Sequence, residues 1–367
     1  MRICHITSAH PRYDARIFTK QCQGLARSGH EVHLVVADGK GDEVRNGVSI
    51  HDVGRRTGRL GRMVFTARAA VAAARGIAAD VYQMHDPELL LHAGMLKGRS
   101  RTVIFDAHED VPQQLKHKPY LPGPTAPVAS LLFRGIEWPL LRRLDGVICA
   151  TDHIRDRIAA INPRCIAVKN FPLIESGLVT KGRRSGLDVC YVGGISTTRG
   201  IRQLLEAFAL VKSGARLHVA GPFESPALER KLRAMPSWQR VNYLGTLDRK
   251  GVHEVYSTCS VGMVTLLPTP AHVDALPVKL FEYMSAGIPV ISSDIPLWRG
   301  IVEDARCGVC VDPEDPQAIA EAIDRLVLDR DSAEEMGSNG MRAVSERYNW
   351  DAEGRRLADF YESFRRG

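Results

Sequence analysis

Asp274-Ala-Leu-Pro-Val-Lys-Leu-Phe-Glu-Tyr-Met-Ser-Ala-Gly-Ile-Pro-Val-Ile-Ser-Ser-Asp294 reads as a turn, a helix and a strand in succession. Asp274 to Pro277 is a polar, kinked approach. Val278 to Ala286 places Leu280, Phe281, Tyr283 and Met284 at helical spacing. Pro277 stands at the first helical position, where its missing N–H would have no intrahelical partner anyway. Gly287 closes the helix, and Pro289 to Ser293 continues as a buried strand. The amides of Val278 and Lys279 then point out of the positive end of the helix, a ready anion site. Lys279 adds a full charge, and Glu282, one turn further in, offers a carboxylate. Donors for phosphate beside acceptors for hydroxyls suit a phosphorylated sugar or a nucleotide.

Outward from this stretch the strand–helix alternation repeats along the chain. Arg2 to Thr7, Ala15 to Ser28 and Glu31 to Val36 read as strand, helix, strand, the start of a parallel sheet. Val48 to Val53 is a further strand, and an alanine-rich helix runs to about Ala78. Val81 to Met84 and Val103 to Asp106 are strands that end in His85-Asp86-Pro87 and His108-Glu109-Asp110. Val128 to Leu144 reads as a helix interrupted near Trp138-Pro139, followed by the strands Gly146 to Ala150 and Cys165 to Asn170. Ser176 to Ser185 is polar, basic and glycine-bearing, the best linker in the chain. The alternation then restarts at Asp188 to Val192 and Ile201 to Leu210. Two successive blocks predict an α/β chain of two Rossmann-like domains facing a cleft. The expected boundaries are 1–176, 187–345 and a C-terminal helix at 346–367.

Ligands of open α/β sheets collect at the carboxyl ends of the strands. His10, Asp14 and Arg16 lie in or just after the loop that follows the first strand, and His85, Asp86 and His108 end two others. No G-x-G-x-x-G follows the first strand, which counts against a dinucleotide oxidoreductase. In the second block, Tyr191-Val-Gly193-Gly194-Ile-Ser-Thr-Thr-Arg199-Gly200 brings glycine backbone and an arginine to a strand end, a setting for phosphate.

The 274–294 stretch resembles the donor-binding motif of the retaining family 4 glycosyltransferases, which have the GT-B fold. Their pattern is an acidic residue, seven others, then Glu; Asp274 and Glu282 hold those positions. The family usually has Glu in place of Asp274, Gly in place of Pro277, Arg in place of Gly194 and Lys in place of Arg199. The resemblance implies retaining, metal-independent transfer from a nucleotide-diphosphate sugar to a hydroxyl acceptor, with no cofactor. Arg199 and Lys279, with the backbone at Gly193, Gly194, Pro277 and Val278, would neutralise the diphosphate. Asp274 would hold a sugar hydroxyl, Glu282 the ribose and His108 the donor sugar. Gly245, Thr246 and Leu247 would lie at the base. His10, Asp14, Arg16, His85 and Asp86 would stand on the acceptor side, and the C-terminal helix would cross back to the first domain.

The 367 residues are 44% hydrophobic and 25% charged, ordinary for a soluble globular protein and enough for two cores. MRICHITSAH lacks a signal-peptide h-region, and no apolar run is long enough to span a membrane, so a cytoplasmic location is expected. The cysteines read as core residues; Cys307 and Cys310 form a lone CxxC without the second pair of a zinc site. Residues 1–176 carry 25 Lys+Arg against 17 Asp+Glu, while the remainder is nearly balanced. A basic first half suits a lipid-linked acceptor or peripheral contact with the inner face of the membrane, with Arg55, Arg56, Arg59 and Arg62 before an apolar helix as one candidate surface. No nucleic-acid motif appears, and no nucleic-acid partner is expected. A polysaccharide or lipid-linked oligosaccharide product is the leading expectation. A small-molecule glycoside, a nucleotide-sugar-binding protein without transfer, and an epimerase remain alternatives.

Overall fold

Strands that are apolar on both faces need helices on both sides, and this requirement shapes each half of the chain. The computed structural model describes residues 1–55, 61–116, 125–174 and 186–364, with backbone alone for 62–64. It divides into two units, Met1–Asn170 with Trp350–Gly367, and Phe171–Asn349. The linker expected at 176–185 lies outside the described residues.

The first unit contains β1 (Arg2–Ile6), β2 (Glu31–Val36), β3 (Glu43–Arg45), β4 (Val48–Asp52), β5 (Val81–Met84), β6 (Thr102–Ala107), β7 (Gly146–Cys149) and β8 (Cys165–Ala167). Their order is β3-β4-β2-β1-β5-β6-β7-β8. Every neighbouring pair is parallel except the edge pair β3–β4. Ile3, Val81, Val103, Ile104 and Val147 are buried along the central strands. The first helix starts as wide π turns over Ala15–Cys22 before becoming α at Gln23–Arg27, and the wide turns carry Arg16, Lys20 and Gln21 inward together.

The second unit contains β9 (Asp188–Val192), β10 (Arg216–Ala220), β11 (Val241–Tyr243), β12 (Val261–Val264), β13 (Val290–Ser293) and β14 (Gly308–Val311). All are parallel, in the order β11-β10-β9-β12-β13-β14. Each unit is thus a Rossmann-like sheet whose strand order reverses once. The reversals fall between β1 and β5 and between β9 and β12, where such sheets open a crevice at their strand ends.

The C-terminal helix, Trp350–Glu362, belongs to the first unit. Fully buried Tyr361 donates its hydroxyl to Gln83 of β5, and the Glu353 carboxylate accepts the Lys169 amide at 2.8 Å. The Phe360 ring lies so close to Gly146 of β7 that a Cβ there would stand 2.7 Å from it.

Two local expectations are corrected. Thr125–Arg142 is one continuous helix, with Pro139 inside it. The carbonyl that would meet the proline ring belongs to Gly135, which is exposed, so its backbone has freedom to tilt and water to bond. Pro277 is the cap of helix Val278–Ser285 rather than its first residue, with extended ψ of 116°.

Candidate active site

In the second unit the loops after β9 and β12 meet at the reversal point. Leu267 donates its amide to the Thr198 carbonyl at 2.9 Å, tying the two loops together. Two glycines permit this crowding. At Gly200, φ is +68° and a Cβ would stand 1.9 Å from the Thr265 carbonyl oxygen. At Gly221, after β10, φ is +141° and a Cβ would stand 1.9 Å from the Gly193 carbonyl oxygen. Gly221→Ala is therefore expected to destabilise this unit by about 3–5 kcal/mol, the upper range for one substitution. Chemical denaturation followed by Trp298 fluorescence in a chain stripped of its other tryptophans checks this. A loss under 1 kcal/mol would mean that the loop yields easily.

Arg199 lies over this glycine backbone. Its Nη1 is 3.2 Å from the Cβ position of Gly193, and Tyr191, whose hydroxyl donates to the Gly194 carbonyl at 2.7 Å, stands beside it. Burial raises the Tyr191 pKa, and the Arg199 guanidinium opposes that rise. A Cβ on Gly194 would meet nothing within 4 Å, so the place of the family's usual arginine is open. Gly245 holds the next loop by accepting the Gly221 amide at 2.8 Å, while Thr246 is exposed and Leu247 half-buried.

The approach to helix Val278–Ser285 is held from below. Trp298, fully buried, donates its indole N–H to the Ala275 carbonyl at 2.7 Å, fixing the turn that carries half-buried Asp274. No side chain caps the helix, so its first amides face outward. Tyr283 anchors the other side: its hydroxyl accepts the Val192 amide at 2.9 Å, and its ring fills the space that a side chain on Gly262 would need. Lys279 and Glu282, expected to serve different parts of a ligand, are paired with each other. The same Glu282 Oε2 accepts the Tyr256 hydroxyl at 2.9 Å. Tyr283 reads in the sequence as one more apolar residue of its helix, and nothing there singles out Tyr256 or Trp298.

In the first unit, His10, His85, Asp86 and His108 do converge at the reversal between β1 and β5. Buried Asp86 accepts the Thr7 hydroxyl and the Ser8 amide, each at 2.7 Å, and pairs with His10 Nδ1 at 2.9 Å. The His10 and His108 rings are 4.8 Å apart. Behind them runs a histidine chain: His5 Nδ1 is 2.9 Å from His85 Nε2, and His85 Nδ1 is 3.1 Å from His108 Nε2. His5 Nε2 is buried without a partner. A buried orphan N–H is the costlier alternative, so His5 carries its proton on Nδ1 and donates it to His85. His85 then keeps its own proton on Nδ1, aimed at His108 Nε2 and at Asp106 Oδ2, 3.4 Å away.

Two acceptor-side expectations are corrected. Asp14 caps the first helix, accepting the amides of Arg16 and Ile17 at 2.8 and 2.9 Å. Arg16 is buried, with both arms on Asp106 at 3.1 and 2.7 Å and a third bond to the Val168 carbonyl. Both fasten the start of that helix. His85, Asp106 and His108 turn ligand atoms to within 4.8 Å of one another. Arg16 already brings a full positive charge to that carboxylate, so the set suits hydrogen bonding better than a divalent ion. Cys307 and Cys310 are buried and half-buried, and burial pushes both thiols up to about 12.

The cluster predicts a pH dependence. Burial pushes His85 down to about 4 from an ordinary 6.5, with Asp106 partly opposing. The unfolded chain binds a proton below about 6.5 that folded His85 refuses until about 4, so stability is full above 6.5 and falls across that window. His5, lowered by burial, acts in the same direction. For His10, burial opposes the charge but Asp86 prevails and the pKa rises, so its contribution is full at low pH and fades as pH rises through the folded value. The His85 share is about 2 kcal/mol at pH 5. Thermal melts at pH 7 and 5 are expected to show a smaller drop for His85→Gln than for the parent; equal drops would exclude His85 as the source.

Residues 15–168 match the family model for Glycosyltransferase Family 4, and residues 183–343 match that for glycosyl transferases group 1. The fold is similar to that of sucrose-phosphate synthase from Thermosynechococcus elongatus, at a TM-score of 0.79 and 18% identity over 99% of this chain and 98% of that one. It is also similar to HepE of Anabaena in complex with UDP and glucose, at 0.73 and 14% over 99% and 100%. By these matches the chain belongs to the family 4-like glycosyltransferases, with the GT-B fold. The chain is 29% identical to alpha-D-kanosaminyltransferase of Streptomyces kanamyceticus over 48% of this chain and 47% of that protein. It is 33% identical to the GDP-mannose-dependent alpha-(1-6)-phosphatidylinositol monomannoside mannosyltransferase of Mycobacterium tuberculosis over 24% and 23%. It spans about half the length, or less, of the curated relatives it matches first.

Proposed function

We propose that this glycosyltransferase moves a sugar from a nucleoside-diphosphate sugar to a hydroxyl acceptor with retention of configuration. The observation that carries the reading is the glycine-and-arginine setting in the second unit. There Arg199 lies over Gly193 at a sheet reversal, and the uncapped helix start at Val278 follows the next loop of the same reversal. Arg199 and the helix amides supply the positive charge that a departing diphosphate requires, the main electrostatic demand of the reaction, and Lys279, paired with Glu282, lies at the same helix start. No metal is then needed for that charge. The acceptor hydroxyl gives its proton to a phosphate oxygen as the glycosidic bond to the diphosphate breaks on the same face. Glu282 keeps Oε2 on Tyr256 and Lys279, leaving Oε1 for a ribose hydroxyl. Asp274 takes a sugar hydroxyl. In the first unit, His10 and His108 meet hydroxyl groups, with His85 and Asp86 holding them in place.

A surface polysaccharide or lipid-linked saccharide is the product we favour. Its support is the pair of relatives named for colanic acid biosynthesis in Salmonella typhimurium and for phosphatidylinositol mannoside in Mycobacterium tuberculosis. The test is incubation of the enzyme with single nucleotide sugars in EDTA and with Mg²⁺, reading release of nucleoside diphosphate with and without a polyol acceptor and the anomeric configuration of the product. Release from one donor, in EDTA, with a retained anomer supports the reading. Conversion of the donor sugar without diphosphate release would make the protein an epimerase.

A further inference from the structure

Helix Thr125–Arg142 is built inside out. Its buried side carries Ala126, Ser130, Glu137 and Leu141. Ser130 donates to the Pro112 carbonyl at 2.7 Å, and Glu137 is held by both arms of Arg157 at 2.7 and 3.2 Å. The opposite side carries Val128, Leu131, Leu132, Ile136 and Trp138, which are 55, 70, 64, 52 and 46% exposed. These positions recur at i, i+3 and i+4 and, with Gly135 and Pro139, form one continuous stripe. A water-facing helix of a soluble domain has the reverse pattern. A stripe of this size marks a surface that something else covers.

The charges beside the stripe say what. Arg134, Arg142 and Arg143 are all exposed, and Arg142 lies over the Trp138 ring at 5.0 Å. The helix's one acidic residue, Glu137, is buried and neutralised by Arg157, so its outer face bears positive charge alone. Leucines and an isoleucine to enter hydrocarbon, a tryptophan for the interface and arginines for phosphate headgroups are the composition of a helix lying in an anionic bilayer surface. Among the described residues no helix is long and apolar enough to cross a membrane.

We propose that the outer face of helix Thr125–Arg142 docks this protein on an anionic lipid surface. This goes beyond the transfer reading and is independent of it, since docking needs no donor. It rests on other residues than the Arg55, Arg56, Arg59 and Arg62 segment, of which Arg56 and Arg59 lie outside the described residues.

Flotation of the full chain with phosphatidylcholine vesicles, and with vesicles containing one-quarter phosphatidylglycerol, tests the proposal. Binding is expected to the anionic vesicles, weakening as salt rises, with Trp138 emission shifting to the blue by comparison with Trp138→Phe. Leu131→Gln/Leu132→Gln/Ile136→Gln is expected to abolish it, and Arg142→Gln to weaken it by roughly fivefold. Leu328→Gln, on a separate exposed leucine, is expected to bind as the parent does. All these positions are exposed, so the variants should melt with the parent. Three results would overturn the proposal: no flotation with anionic vesicles, flotation that survives the triple substitution, or concentration-dependent dimerisation that the triple substitution removes, which would make the face a self-association surface.

Discussion

Asp106→Ala is expected to cost the first unit about 3–5 kcal/mol, the loss found when one member of a buried ion pair is removed. Asp106 is fully buried, and burial alone would raise its pKa; the adjacent Arg16 and the histidines prevail and hold it well below the usual carboxylate range. It accepts two bonds from Arg16 and one from Gln21 at 2.8 Å, and it faces His85 and His108. Removing it leaves the Arg16 guanidinium buried without its counter-charge, and it leaves the His85 proton with His108 as its sole acceptor. The damage is therefore double, to stability and to the setting of His108. Asp106→Asn keeps the volume and some of the bonds, so it should fall between parent and alanine. Urea denaturation of the three proteins, followed at the first unit by its own fluorescence, gives the comparison. The exposed pair Arg202–Glu206 supplies the contrast: breaking it should change stability by less than about 1 kcal/mol. Equal effects at the two sites would show that the buried Asp106 pair contributes no more than an exposed one.

Arg199→Ala is expected to weaken nucleoside-diphosphate binding by about 10- to 100-fold, the range for charge-assisted bonds to an anion. Stability should change little, because Arg199 is half-buried and spans no core layer. Arg199→Lys keeps the charge but loses the planar fork, so it should stay within several-fold of the parent. A larger loss in turnover than in binding would place Arg199 on the leaving diphosphate as its charge develops. Loss of fold rather than affinity would return Arg199 to a structural role beside Tyr191.

The alternation that predicts two Rossmann-like domains is written in periodicity, and periodicity follows directly from which faces are buried. For the same reason the strand ends that carry His10, His85, His108 and Arg199 were legible. What the sequence hid depends on partners distant along the chain. Nothing near Arg16 reveals that Asp106 consumes it, because the two lie ninety residues apart. Lys279 and Glu282 each suit a ligand, yet at i and i+3 on one helix they also suit each other. Pro139 signals a break, but an exposed Gly135 one turn earlier removes the reason for one. The helical spacing from Val128 to Trp138 does not say which way its apolar stripe faces. Only the buried Ser130 and Glu137 on the other side show that it is turned outward.

Titration calorimetry of UDP, GDP and ADP in EDTA tests the donor site most directly. One diphosphate is expected to bind the parent, with or without Mg²⁺, and to bind Arg199→Ala and Glu282→Ala at least tenfold more weakly. Absence of binding by all three, or equal affinity in the parent and both variants, would contradict a donor site built on the loops after β9 and β12.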